Sequence, residues 1–171
     1  NATGAKLNVA GGVNSTYLAV TGIGGAFNTA NRFGVDHYVG YARLYSSGAD
    51  TSTIGGFSLY ATDSSGATQY ERLRISPSGN FGFGTTPATW ASGARALDVG
   101  GFSAMWQGAS GATRIGFNVY ESNANTYSYK TGTATTAYMY EQTNTLGHSW
   151  FTAPAGDAGT AVTLTRAMML N

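Results

Sequence analysis

Hydrophobic residues in this chain come in short pieces, and several of these alternate with polar positions. From Gln69 to Ile75, Glu71, Leu73 and Ile75 fall on one side and Tyr70, Arg72 and Arg74 on the other. From Thr160 to Leu170, Ala161, Thr163, Thr165 and Ala167 oppose Val162, Leu164 and Arg166. A period of two belongs to a strand, whose successive side chains point to opposite faces. The pattern predicts strands over Lys6–Ala10, Thr16–Thr21, Asn31–Val35, His37–Leu44, Gly56–Thr62, Gln69–Ser76, Ala96–Val99, Ser103–Gln107, Thr113–Tyr120, Thr126–Lys130, Thr135–Glu141, Ser149–Thr152 and Ala161–Leu170. Turn signals such as Ser78-Gly79-Asn80, Ser92-Gly93 and Ser110-Gly111 stand between them. Thr85 to Gly93 shows no alternation and reads as a linker.

The chain is internally repeated. Leu7-Asn8-Val9 matches Leu97-Asp98-Val99 at an offset of 90. Asn31 to Tyr38 matches Thr113 to Tyr120 at an offset of 82, with Arg32/Arg114, Gly34/Gly116 and Tyr38/Tyr120 identical. Phe57 to Thr62 matches His148 to Ala153 at an offset of 91. The order is kept, as in two divergent copies with loop insertions. Two related β modules are therefore expected, residues 1–90 and 91–171, each burying a face against its neighbours.

Composition agrees with an all-β chain. Gly, Ser, Thr, Asn and Tyr are weak helix formers, and the sequence has 25 Gly and 11 Tyr. Aromatics at 13% argue against disorder. Charged residues make up only 10% and the net charge is +1, which offers no electrostatic case for nucleic acid or an anionic membrane. The absence of cysteine excludes disulfides and thiolate metal sites. No apolar run approaches the roughly 18 residues of a membrane span. The chain starts without Met and stops on Ala161–Asn171, so it reads as a fragment or processed piece of a longer polypeptide.

The stretch Glu71 to Ala88 reads E-R-L-R-I-S-P-S-G-N-F-G-F-G-T-T-P-A. It resembles the strand–turn–glycine junction that separates segments in bacteriophage tail fibres. A-L-D-V-G-G (Ala96 to Gly101) and the run from Tyr138 to Asn171 are similar to other parts of such fibres. The resemblance implies an elongated fibre of short strands, a homotrimer in which strand edges pair between chains. It also implies contact with other fibre or tail proteins, location in the virion outside cells, and attachment to a host surface glycan or protein. Some relatives carry a C-terminal self-cleaving chaperone that trimerises the fibre and departs. Alternatives are a capsid or tail decoration fibre without receptor binding, and a polysaccharide depolymerase.

Candidate chemistry is sparse. Gly79 to Thr86 has no Lys after its glycines, so it fails the phosphate-loop pattern and reads as a strand-joining turn with Phe81 and Phe83 as core contacts. His37 and His148, the two histidines, show no metal-ligand spacing, and no serine sits in a nucleophile elbow. Asp36 aligns with Asn118 and Asp98 with Asn8, which suits hydrogen-bonding or turn roles better than acid/base work. No enzyme activity, cofactor or metal is expected. Arg32, Arg72, Arg74 and Arg114 are expected to form salt links or stack on aromatics. A tyrosine-rich patch of Tyr120, Tyr127, Tyr129, Tyr138, Tyr140 and Trp150 is the candidate receptor surface, with packing as the competing role. Asn123, Asn125, Gln142 and Asn144 could add hydrogen bonds to a sugar. Asn1-Ala2-Thr3 and Asn14-Ser15-Thr16 match the glycosylation acceptor pattern and would be incidental in a bacterial virus.

Overall fold

The computed structural model describes residues 33–38, 41–46, 48–50, 52–63, 67–108, 111–145 and 147–170. The expected strands Lys6–Ala10 and Thr16–Thr21, both acceptor tripeptides, and the repeat members Leu7-Asn8-Val9 and Arg32 lie outside them. All regular structure among the described residues is β. A hairpin of β1 (Phe33–Tyr38) and β2 (Tyr41–Ser46) pairs Tyr38 with Tyr41, so the expected strand His37–Leu44 is divided between two antiparallel ones.

A nine-stranded sheet follows. Its members are β3 (Phe57–Thr62), β4 (Gln69–Ile75), β5 (Phe81–Phe83), β6 (Arg95–Val99), β7 (Ser103–Gln107), β8 (Thr113–Phe117), β11 (Thr135–Thr143), β12 (Gly147–Gly156) and β14 (Thr165–Leu170). They lie in the order β14-β12-β11-β8-β7-β6-β5-β4-β3. Every neighbouring pair is antiparallel except β5 and β6, which run parallel. The sheet crosses residue 90 without a break, because β5 from one expected module pairs with β6 from the other.

A second sheet packs on one face of the first. It contains β9 (Val119–Asn123), β10 (Thr126–Tyr129) and β13 (Ala161–Val162). The expected strand Thr113–Tyr120 is thus split between two sheets. Asn118 makes the break, with φ at 56°. Its N–H donates to the Phe102 carbonyl at 2.8 Å, its Oδ1 accepts from the Thr131 N–H at 2.9 Å, and its Nδ2 donates to the Thr135 carbonyl at 3.1 Å. Asn tolerates the left-handed region better than other side chains, and here the amide replaces the strand pairing that the turn gives up.

The core lies between the two sheets. Trp106, 1% exposed, is its most deeply buried aromatic ring, and Trp90 packs on it at a tilt with ring centroids 5.1 Å apart. Full burial of such a ring contributes about 3 kcal/mol. Val119, Tyr129, Ala137, Met139, Ala153 and Val162 complete the layer.

The opposite face of the large sheet carries an apolar row in unbroken register. Phe57 stands opposite Ile75, Ile75 opposite Phe81, and Phe81 beside Leu97. The row continues through Met105, Ile115, Tyr140 and Trp150 to Met168. None of these nine side chains is buried. A second row, from Leu59 and Leu73 through Phe83 and Val99, passes Ser103 to Phe117 and Tyr138.

Candidate functional site

The junction resembling a fibre motif is built of close backbone contacts. β4 turns back through Ser76 to Asn80, where the Ser76 N–H donates to the Asn80 carbonyl at 2.8 Å. Asn80 is 2% exposed, and its Oδ1 accepts from the Ala96 N–H at 3.0 Å, docking the start of β6. At Gly82 a Cβ would stand 2.1 Å from the Thr85 carbonyl oxygen and 2.9 Å from Pro87 Cδ, so only glycine lets Thr85 to Pro87 fold across β5. Phe81 and Phe83, expected in a turn as core contacts, instead form β5. Both point to the bare face, 41% and 47% exposed, since positions two apart share a face and the Gly82 side is occupied.

Several charged side chains lie inside the molecule. Asp98, fully buried, accepts from the Ala88 N–H at 2.8 Å and Trp90 Nε1 at 3.0 Å, and it pairs with Lys130 Nζ. This pins the crossover between β5 and β6 over the core. Arg114 links two carboxylates. Its Nη1 donates to Glu121 Oε2 at 2.9 Å and its Nε to Glu141 Oε2 at 2.6 Å. Trp106 Nε1 also donates to Glu121 Oε2 at 3.2 Å, and the Asn125 N–H to its Oε1 at 2.9 Å. Arg114 thus forms both the salt links and, over the Tyr127 ring at 5.6 Å, the aromatic stacking expected of it. The strand did not show the inward direction of Arg114, because the larger apolar side chains Ile115 and Phe117 stand on the other face. Its partners Glu121 and Glu141 carried no signal either.

The six aromatic candidates do not form one patch. Tyr129 is buried in the core, 4% exposed, with its hydroxyl on the Pro154 carbonyl at 2.6 Å. Tyr120 packs edge-on against Trp90 at 5.8 Å. Tyr127 is half-buried beside Arg114, and burial pushes its phenol up to about 12. Tyr138, Tyr140 and Trp150 lie on the other side of the large sheet. Tyr140 packs near Trp150 at 5.4 Å and bonds His148 Nδ1 through its hydroxyl at 2.5 Å. Tyr138 neighbours Phe117, which stacks on Phe102 at 5.1 Å. Strand parity separates the two groups: β9 and β10 belong to the covering sheet, whereas Tyr138 and Tyr140 take the outward positions of β11. His37 lies in β1, and its side chain is outside the described ones.

A polar cleft of about 650 Å³ opens at the ends of β8 and β11. Arg114 and Glu141 lie at its base, with Thr113, Asn125, Gln142 and Asn144 around them. Three of the four amide residues expected to serve a sugar are therefore together. Asn123 is exposed at the end of β9 and does not line the cleft. Glu121 and Glu141, brought together on one guanidinium, are held as ion-pair partners. Comparison of the chain with known protein families, curated proteins and solved structures finds no match.

Proposed function

We propose that this chain is a segment of a bacteriophage tail fibre that attaches the virion to a glycan or protein on the host surface. In this reading it is an elongated homotrimer, joined to other fibre or tail proteins, with no catalytic step. The single observation that carries the reading is the Glu71–Ala88 stretch. Its glycines and Asn80 have a specific task, joining one strand group to the next within a continuous sheet. The cleft beside Arg114 suits a neutral polar ligand such as a sugar, because amides and hydroxyls surround a charge group already paired. Tyr127 is the one of the six rings that stands next to it.

Light scattering of the purified chain is expected to give three times 17.7 kDa. The labelled chain is then titrated onto a panel of bacterial cells and their extracted surface polysaccharides. Saturable binding that Gln142→Ala and Asn144→Ala weaken about tenfold, roughly 1.4 kcal/mol, supports attachment through the cleft. A trimer that binds no cell or polysaccharide in the panel would move the reading to a decoration fibre. Shortening of the polysaccharide on incubation would move it to a depolymerase.

A further inference from the structure

The face of the nine-stranded sheet that no described residue covers has the character of an interior. Its two central rows carry no charged residue, while Asp98, Arg114 and Glu141 are buried on the opposite face and Glu121 in the sheet that covers it. On one flank the next row is polar at Arg95, Gln107, Thr113, Gln142 and His148 and ends on the exposed Leu170. The result is a narrow apolar stripe that crosses all nine strands, about 40 Å at the usual spacing of neighbouring strands. Met105 is 50% exposed, Ile115 53%, Phe83 47%, Tyr138 49% and Met168 55%. Together with their neighbours they leave on the order of 1,000 Å² of apolar surface open, whereas monomers seldom show contiguous patches beyond about 600 Å². A standard interface needs about 800 Å² from each partner.

We infer that this stripe is the surface on which copies of this chain meet, three such faces turned toward a common axis along its length. The area is that of a stable association. A charge-free stripe gives a partner of different sequence no electrostatic handle for recognition. Each further copy presents the same unbroken apolar row of the same length, so three stripes turned to one axis cover one another along the whole row. Tyr138, Tyr140 and Trp150 then pack between chains and are closed to a host receptor. The inference deepens the assembly part of the fibre reading and stands apart from the virus and the receptor.

The test uses the full chain. Ile115→Glu places a carboxylate one strand from the centre of the stripe, where a lone chain would tolerate it at an exposed position. The mass by light scattering is expected to fall from the multimer to 17.7 kDa. The exposed Thr133→Glu, off the sheet, is expected to leave the mass unchanged. Should Ile115→Glu fail to fold, Ile115→Cys reads the same contact with little change in size. The chain has no cysteine of its own, so a short bismaleimide added to the Ile115→Cys variant is expected to give a covalent dimer. Peroxide oxidation of Met105 and Met168 supplies a third readout, expected to be slow in the native chain and fast after Ile115→Glu.

A native multimer that keeps its mass in Ile115→Glu and does not cross-link in the Ile115→Cys variant overturns the inference and leaves the fibre reading standing. A native monomer with rapidly oxidised Met105 and Met168 sinks both. A native monomer in which those methionines are protected shows that other residues of the same chain cover the stripe, which also overturns it.

Discussion

At the scale of single residues, the buried charges and the small residues beside them limit what can be changed. Arg114 neutralises two carboxylates, of which Glu121 has no exposed side-chain surface. Removing one partner of a buried ion pair leaves an uncompensated charge, and the usual cost is about 3–5 kcal/mol. Arg114→Met is therefore expected to lower stability by that amount, read as a shift in the urea midpoint with an unchanged slope. Gly116 faces a different constraint. A Cβ there would stand 2.7 Å from Val119 Cγ1 and 2.8 Å from Trp106 Cζ3. Gly116→Ala must displace the central ring, and a loss of about 1–3 kcal/mol is expected from overpacking. An equally stable Gly116→Ala would show that Trp106 is not held as tightly as this geometry requires.

At the scale of elements, the sheet is joined across the expected module boundary near residue 90 by few bonds, and they are testable. Asn80 Oδ1 is the acceptor for the Ala96 N–H at the start of β6. Asn80→Ala would leave that buried donor unpaired, at about 1–3 kcal/mol. Hydrogen exchange should quicken at Ala96 and its neighbours in β5 and β6, and not in β11 and β12. The edge pair β3–β4 carries a pH-dependent link. Arg74 Nε donates to Glu71 Oε1 at 2.8 Å and the Tyr60 hydroxyl to Glu71 Oε2 at 2.7 Å. The Arg74 guanidinium, with help from Tyr60, lowers the Glu71 carboxyl from 4.5 to about 2. A lowered folded value means that stability is present above the unfolded value and is lost as the carboxylate is protonated. The native pair should weaken between about pH 4.5 and 2, and Glu71→Gln should flatten that part of the stability profile. An identical acid limb in the variant would remove Glu71 from the account.

At the scale of the whole molecule, one side of the sheet is finished and the other is open. The finished side has a second sheet, packed tryptophans and paired charges. The open side has an apolar row without cover among the described residues. Such a molecule should bind a hydrophobic dye such as ANS if it is monomeric, and should bind little when the face is closed by other copies. Tyr127 adds a distinction between the sides. Its phenol is raised from 10.0 to about 12, so the stability it contributes is present below pH 10 and is lost as pH rises through about 12. In absorbance titration Tyr127 should ionise late, and Tyr127→Phe should remove its share of the late step.

The all-β class was legible in the chain by itself, because alternation in pieces such as Gln69–Ile75 is a local property of strands. The bounds of β7, Ser103–Gln107, follow directly from it. The split at Asn118 was not legible, since Thr113–Tyr120 alternates without interruption and only the side chain's long-range bonds to Thr131 and Thr135 stabilise the turn. The strand β5 was hidden by its glycines, which suggest a turn until Pro87 is seen lying over Gly82. The aromatic candidates could be found from the sequence, but not sorted. Which face of a strand is covered depends on what packs against it, so Tyr129 became core and Tyr138 stayed open. Local patterning determined that this chain makes strands and which residues share a face. Tertiary packing decided which face is buried, because burial is a property of neighbours far apart in the chain.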